Sequence, residues 1–296
     1  MEITGKCQLE CAHCYAESGP AGTHGVMTTT DWRRVVDQAA GMGVGMVQFI
    51  GGEPTLHPDL AALVDHALVL GLRVEVFTNL THVTPALWEV FARPGVRLAT
   101  SYYSDAAAEH ERVTVRRGSH ARTRANIVEA VRRSVPLRVG VIDFGDGQRV
   151  DAAISELAAL GAIEVGVDHL RRVGRGVREV RTSASQLCGR CGDGVLAVAP
   201  DGTVWPCVFS RWLPLGNVRE DPVAEIATGE AAERTRTTLA GVFVARHPQP
   251  PEAPCVPRMC NPQCGPSCGP ACNPSCWPTG AGPCAPKGGC VPNYRR

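Results

Sequence analysis

The feature that most constrains the fold is an alternation of hydrophobic period along the first two thirds of the chain. From Ile3 to about Asp168, short apolar runs take turns with stretches whose apolar residues recur at helical spacing. Ile3 to Lys6, Met46 to Ile50, Arg73 to Phe77, Arg97 to Tyr102, Leu137 to Ile142 and Ile163 to Val167 read as six strands. Five helical segments lie between them. The first starts at Thr30-Asp31 and buries Trp32, Val35, Val36 and Ala39. The second runs from Asp59 to Leu70, with Leu60, Leu63, Val64, Ala67 and Leu68 on one face, and stops at Gly71. Pro85 to Phe91, Thr123 to Arg133 and Val150 to Leu160 follow, the last stopped by Gly161. Strands separated by helices pair in parallel, because each crossover returns the chain to the same edge of the sheet. The pattern predicts a six-unit α/β domain and leaves open whether the sheet is doubly wound or a partial barrel.

A parallel sheet gathers the loops that follow its strands on one edge. The loop after the first strand reads Lys6-Cys7-Gln8-Leu9-Glu10-Cys11-Ala12-His13-Cys14-Tyr15, a C-x3-C-x2-C triplet. The loop after the second reads Gly51-Gly52-Glu53-Pro54. A 4Fe–4S cluster ordinarily takes four thiolates, so three close cysteines leave one iron open. Glycines allow a ligand to approach the backbone closely. A structural zinc site beside an ordinary glycine turn is the competing reading.

The triplet and the Gly-Gly-Glu run together resemble the signature of the radical S-adenosylmethionine (radical SAM) superfamily. That resemblance implies a partial (β/α)6 barrel with its chemistry at the C-terminal ends of the strands. Cys7, Cys11 and Cys14 would ligate a 4Fe–4S cluster whose open iron chelates S-adenosyl-L-methionine. Gly51, Gly52 and Glu53 would hold the methionine amino group. His13 and Tyr15 match positions near the adenine. Ser101, in Thr100-Ser101-Tyr102-Tyr103-Ser104-Asp105, matches a serine near the ribose, and Asn79 is similarly placed. Packing or a strand-end hydrogen bond explains these four equally well. The implied chemistry is reductive cleavage of S-adenosylmethionine to methionine and a 5′-deoxyadenosyl radical, which removes hydrogen from an unactivated carbon. Arg175, in Val173-Gly174-Arg175-Gly176 after the sixth strand, has two readings, an arginine that approaches the site and a solvated one, of which the solvated one is the more common.

After about Arg181 the texture changes. Gly194 to Ala199 and Thr203 to Val208 are β runs joined by the turn Pro200-Asp201-Gly202, and a helical patch spans Val223 to Leu239. Cys188-x2-Cys191-x10-Gly202-x4-Cys207 resembles the SPASM and twitch pattern of radical SAM proteins, whose hairpin carries an auxiliary iron–sulfur cluster. Half of a zinc ribbon is the alternative. From His247 onward the chain is mostly Pro, Gly and Cys. It holds Cys255, Cys260, Cys264, Cys268, Cys272, Cys276, Cys284 and Cys290, five of them at intervals of four. A proline in every intervening triplet excludes a helix. These cysteines are expected to wrap an inorganic centre, although the C-x2-C-x5-C run usual in SPASM regions is absent. A disulfide-bonded tail and a modifiable cysteine-rich segment are the other readings. The expected organisation is a barrel over 1–181, a SPASM/twitch-like hairpin and helix over 182–245, and a cluster-binding tail over 246–296.

The rest of the composition narrows the setting. A net charge of +1 gives no electrostatic case for nucleic acid or an acidic membrane. No signal peptide precedes Cys7, and no apolar run is long enough to span a bilayer, so a cytoplasmic protein is expected. In a reducing compartment, 14 cysteines argue for metal or redox chemistry over disulfides. The family resemblance implies an oxidoreductase-type enzyme with one or two auxiliary 4Fe–4S clusters. Its substrate would be a ribosomally made precursor peptide, with a crosslink, thioether, epimerisation or oxidation as the outcome. Many such enzymes carry an N-terminal peptide-binding domain. Here the barrel pattern begins at Met1, so a separate peptide-recognition protein or direct docking at the barrel mouth is expected. An electron donor such as flavodoxin or ferredoxin is implied as well. The alternatives are a dehydrogenase, epimerase or decarboxylase acting on a sugar, aminocyclitol or nucleoside, and a non-catalytic iron–sulfur carrier. Tyr103, Asp105, Asp143, Asp168 and His169 lie near strand ends, but the sequence assigns none of them as acid or base.

Overall fold

The strands β1 (Glu2–Thr4), β2 (Met46–Gly51), β3 (Arg73–Phe77), β4 (Val96–Tyr102), β5 (Leu137–Asp143) and β6 (Glu164–His169) form one sheet in sequential order, and every neighbouring pair is parallel. The computed structural model describes residues 1–177, 183–189 and 191–246. A doubly wound sheet reverses its strand order at a switch point. This one never does, which makes it the six-unit partial barrel, with β1 and β6 as its two edges.

Strand period two divides the sheet's faces. Val47, Phe49, Val74, Val76, Val96, Leu98, Val139 and Val141 are buried in a single core with Trp32, Val35, Leu63, Val64, Phe91, Ile127 and Leu157 from the helices. Those helices are α1 (Thr29–Gly41), α2 (Leu60–Val69), α3 (Pro85–Phe91), α4 (Ala107–Thr114), α5 (Ser119–Arg132) and α6 (Val150–Ala159). Thr28 caps α1 in a reciprocal capping box with Asp31.

The β4–β5 crossover differs from expectation. It holds two helices, α4 and α5, where one starting at Thr123 was expected. Helix α4 and the start of α5 leave no apolar stripe to read, because their buried side chains are His110, Thr114, Ser119, His120 and Thr123, and apolar Ile127 and Ala130 come only later. Several of these polar groups bond to one another or to the sheet, while His110 packs its ring against Tyr102, Tyr103 and His120. Thr114 Oγ1 lies 2.7 Å from Ser119 Oγ, and Tyr102 Oη lies 2.8 Å from His120 Nε2.

Beyond the barrel, β7 (Ala197–Val198), β8 (Thr203–Trp205) and β9 (Gly216–Asn217) form a small antiparallel sheet. The third strand is too short to show alternation, so the sequence pattern offered only two. Gly202, at φ +89°, makes the turn between β7 and β8, and a Cβ there would lie 2.4 Å from Asn217 Oδ1. The helical patch is two helices, α7 (Val223–Thr228) and α8 (Glu230–Arg246), broken at Gly229. Val198, Val204, Leu215, Val218, Val223 and Ile226 join the barrel core, so this segment shares one hydrophobic interior with the barrel. The chain separates into Met1–Phe243 and Val244–Arg296. The eight tail cysteines lie outside the described residues. No helix among the described residues is long and apolar enough to cross a membrane.

Candidate active site

Backbone contacts between the first two strand-end loops define the site. Gly52 N donates to Thr4 O at 2.7 Å and Glu53 N to Lys6 O at 2.8 Å, so the Gly-Gly-Glu run lies flush against the segment that leads into Cys7. A Cβ at Gly51 would lie 2.3 Å from Thr4 O, and one at Gly52 would lie 2.3 Å from Lys6 O. Gly51, at φ +146°, also holds a backbone conformation that side chains disfavour. Only glycine permits this approach at either position.

Glu53 is fully buried. Its Oε1 accepts from Thr55 N (3.1 Å), Thr55 Oγ1 (2.7 Å) and Thr78 Oγ1 (2.7 Å), and its Oε2 accepts from Asn79 N (2.8 Å). Burial pushes its carboxyl pKa up, and these hydrogen bonds oppose the rise. The carboxylate thus ties the loop after β2 to the loop after β3.

Asn79 continues the connection to the cysteines. Its Nδ2 points at Cys7 Sγ at 3.7 Å and at Gln8 Oε1 at 3.3 Å, while its Oδ1 accepts from Gln8 Nε2 at 3.1 Å. Leu9 N donates to the same sulfur at 3.4 Å. Thr123 Oγ1, from α5, holds Asn79 O at 2.9 Å. Asn79 therefore stands against a cysteine of the triplet. Ser101 hydrogen-bonds to Tyr103.

Burial pushes the Cys7 and Cys11 thiols up to about 12, and each also feels the charge of its neighbours in the triplet. Buried thiols of this kind become ligands when a metal centre displaces their protons. The three converge beside a glycine cradle and an amide aimed at sulfur, and this donor set fits a cluster with an open iron. Among the described residues, no group of three or more His, Cys, Asp or Glu could hold a metal ion directly. The thiolates of an iron–sulfur cluster spread around a larger centre than one ion.

His13 packs edge-on against Tyr103 (ring centroids 5.0 Å) and Phe144 (5.1 Å). Burial, followed by the charge of Arg175, lowers its pKa to about 4, so the ring is neutral near pH 7. Its Nδ1 is buried without a partner. A cavity of about 280 Å³ opens beside this cluster, lined by Tyr103, Phe144, Glu109, Arg112, Asp146 and Gln148. Tyr15 turns elsewhere. Its ring meets Phe209 at 5.1 Å and lies 6.0 Å from the Arg211 guanidinium, against the hairpin segment.

Three strand-end carboxylates are engaged within the fold. Asp105 pairs with Arg149 (2.7 Å), Asp168 pairs with Arg171 (2.6 Å), and Asp143 accepts from Gly145 N (2.8 Å). His169 is largely exposed and lies 3.6 Å from Asp143. Of the two readings for Arg175, the structure has the approach to the site: it donates to Cys11 O, Ser18 O and Cys14 O. Nothing in a bare Gly-Arg-Gly run marks such a role.

In the hairpin segment, Cys191 Sγ lies 3.0 Å from Cys207 Sγ, and Cys191 also hydrogen-bonds to Cys188. The hydrogen bond from Cys191 lowers the Cys207 thiol pKa against the effect of burial, helped by Ser210, while Cys191 is pushed up. Three of the expected auxiliary ligands are thus together.

The family model of the radical SAM superfamily matches residues 1–173, and a model described as an iron-sulfur cluster-binding domain, SPASM, matches residues 188–265. A protein of Xanthomonas campestris pv. campestris named PqqA peptide cyclase is 32% identical over 182 residues, covering 60% of this chain and 48% of that protein. The chain thus spans about half the length of that relative. A protein of the same name from Xanthomonas oryzae pv. oryzae is 32% identical over 283 residues, covering 80% of this chain and 76% of that protein. Among solved structures, Streptococcus suis SuiB bound to S-adenosylmethionine superposes with a TM-score of 0.64 at 16% identity, over 81% of this chain and 66% of that one. At that identity the likeness is one of fold.

Proposed function

This chain belongs to the radical SAM superfamily, and on that premise we propose that it modifies a peptide substrate by radical chemistry. Bound at the cysteine triplet, a 4Fe–4S cluster supplies the electron that cleaves S-adenosylmethionine and so generates a radical able to abstract hydrogen. Cys7, Cys11 and Cys14 hold that cluster. The backbone of Gly51 and Gly52 receives the methionine end of the cofactor, and Glu53 fixes that loop from beneath. The neutral His13 ring, held edge-on by Tyr103 and Phe144, borders the adenine position. Asn79 supports Cys7, and Ser101 borders the ribose position through its bond to Tyr103. Cys188, Cys191 and Cys207 are ligands of an auxiliary cluster.

The peptide reading rests on one observation above the others: a relative named as a peptide cyclase aligns with most of this chain at 32% identity. The substrate class is a ribosomally made precursor peptide, brought by a separate recognition protein or docked directly at the barrel mouth. A one-electron donor such as flavodoxin or ferredoxin reduces the cluster in a reducing, cytoplasmic setting. The test is anaerobic turnover of the reconstituted enzyme. The expected result is 5′-deoxyadenosine release that requires a short partner peptide and disappears in Cys14→Ala. Turnover supported by a sugar or aminocyclitol alone replaces the peptide reading with the small-molecule one.

A further inference from the structure

The loop that follows β6 is built against the cysteine loop that follows β1. Arg175 Nε donates to Cys11 O at 2.9 Å, its guanidinium also donates to Ser18 O at 2.6 Å, and its backbone N donates to Cys14 O at 3.0 Å. Three carbonyls of one short loop thus converge on one residue. Its neighbours are shaped for the same approach. Gly174 has φ +56°, and a Cβ there would lie 2.4 Å from Tyr15 O and 2.6 Å from Cys14 O. A Cβ at Gly176 would lie 2.5 Å from Arg171 O and 3.4 Å from His13 O. β1 and β6 are the unpaired edges of the open barrel, so this contact joins the first and last units at the mouth.

We propose that Arg175 is a positioning residue for the cysteine-triplet site: it clamps the backbone of the cluster loop across the open barrel edge and places a fixed positive charge beside the cluster. The proposal rests on the cluster assignment above. Charge and hydrogen bonding around a cluster set its reduction potential. A guanidinium suits the task because its rigid fork reaches two carbonyls at once and its charge is permanent.

The experiment compares wild type with Arg175→Gln, Arg175→Lys and Gly174→Ala. Hydrogen exchange of amides 11–18 is followed in the metal-free protein, and the triplet cluster's midpoint potential is read by EPR titration. Wild type must first load a reducible triplet cluster that binds S-adenosylmethionine. If it does not, the cluster assignment and the clamp fall together. With that cluster present, Arg175→Gln is expected to exchange these amides about tenfold faster, the loss of one charge-assisted hydrogen bond, and to shift the potential to more negative values. Arg175→Lys keeps the charge but has no fork, so its potential stays near wild type while exchange is faster. Gly174→Ala keeps the arginine but pushes its loop off the carbonyls, and it is expected to match Arg175→Gln in exchange. Should Arg175→Gln fail to fold, the other two variants still decide. Wild-type exchange in Gly174→Ala and Arg175→Lys, or a wild-type potential in a folded Arg175→Gln, overturns the clamp.

Discussion

At the scale of single residues, Asn79 is the clearest case of a side chain whose task is set by the fold. Its amide reaches a sulfur 72 positions earlier in the chain, while its own backbone N–H is taken by Glu53. A hydrogen bond to a cluster sulfur favours the more electron-rich reduced state. Asn79→Ala is therefore expected to lower the midpoint potential of the triplet cluster, as followed by EPR titration, and an unmoved potential removes the tuning role. Gly52 yields a steric prediction. A methyl group 2.3 Å from Lys6 O must force the two loops apart. Gly52→Ala should cost on the order of 1–3 kcal/mol of stability, the usual penalty of overpacking, and weaken S-adenosylmethionine binding, as read by calorimetry. Both the triplet and the glycine pair were legible in the sequence, because ligand spacing and backbone approach leave short, local marks. The target of Asn79 and the placement of Arg175 were not. Each depends on which loops meet at the barrel mouth, and no local pattern encodes that.

At the scale of elements, the strands carry a polar ladder on the face opposite the helix-packed core. Glu75 on β3 is buried, receives Gln48 from β2, and pairs with Arg97 (3.0 Å) from β4 and Arg138 (2.7 Å) from β5. Arg97 also reaches Glu164 on β6 at 3.0 Å. Burial works against the Glu75 carboxylate, but Arg138, Gln48 and Arg97 together outweigh it and hold its pKa below the ordinary value. For an acid lowered in this way, the stabilising contribution is present above the ordinary carboxylate range and is lost as pH falls through the depressed folded value. Glu75→Gln should thus destabilise the protein by about 2 kcal/mol near neutral pH, since two arginines lose their counter-charge. The difference should shrink as the wild type is acidified, which urea unfolding at a series of pH values would show. The strands were readable because short apolar runs, mostly Val with Ile, Leu and Phe, recur between the helical stretches. Helix α4 and the first turn of α5 were not, because His110, Thr114, Ser119 and His120 fill an interior with polar side chains, of which Thr114 bonds to Ser119 and His120 to Tyr102. A hydrophobic period cannot report a buried face of that kind.

At the scale of the whole molecule, the segment carrying Cys191 and Cys207 is fastened to the start of the barrel. Val26 N and Met27 N both donate to Pro200 O, at 3.0 and 3.1 Å, and Val223 N donates to Gln38 Oε1 at 2.7 Å. The strongest tie is ionic. Arg211, four residues past Cys207, places one nitrogen 2.8 and 2.6 Å from the two carboxylate oxygens of Glu2 on β1, with its guanidinium 4.4 Å from the Trp205 ring centroid. The Glu2 side chain is almost wholly buried, so the two partners are not equivalent. Removing the arginine strands a carboxylate in a low-dielectric interior, which costs far more than the net value of the pair. Arg211→Ala is therefore expected to lose about 3 kcal/mol of stability. Adding Glu2→Gln to that variant should recover part of the loss, because no buried charge then remains unpaired. A thermal unfolding cycle over the four proteins, monitored by circular dichroism, provides the comparison. If the double variant loses as much as the sum of the two single changes, the segment is held by its apolar contacts and the hydrogen bonds to Pro200 and Gln38, and Arg211 is not the tie between the hairpin cysteines and the radical-site barrel.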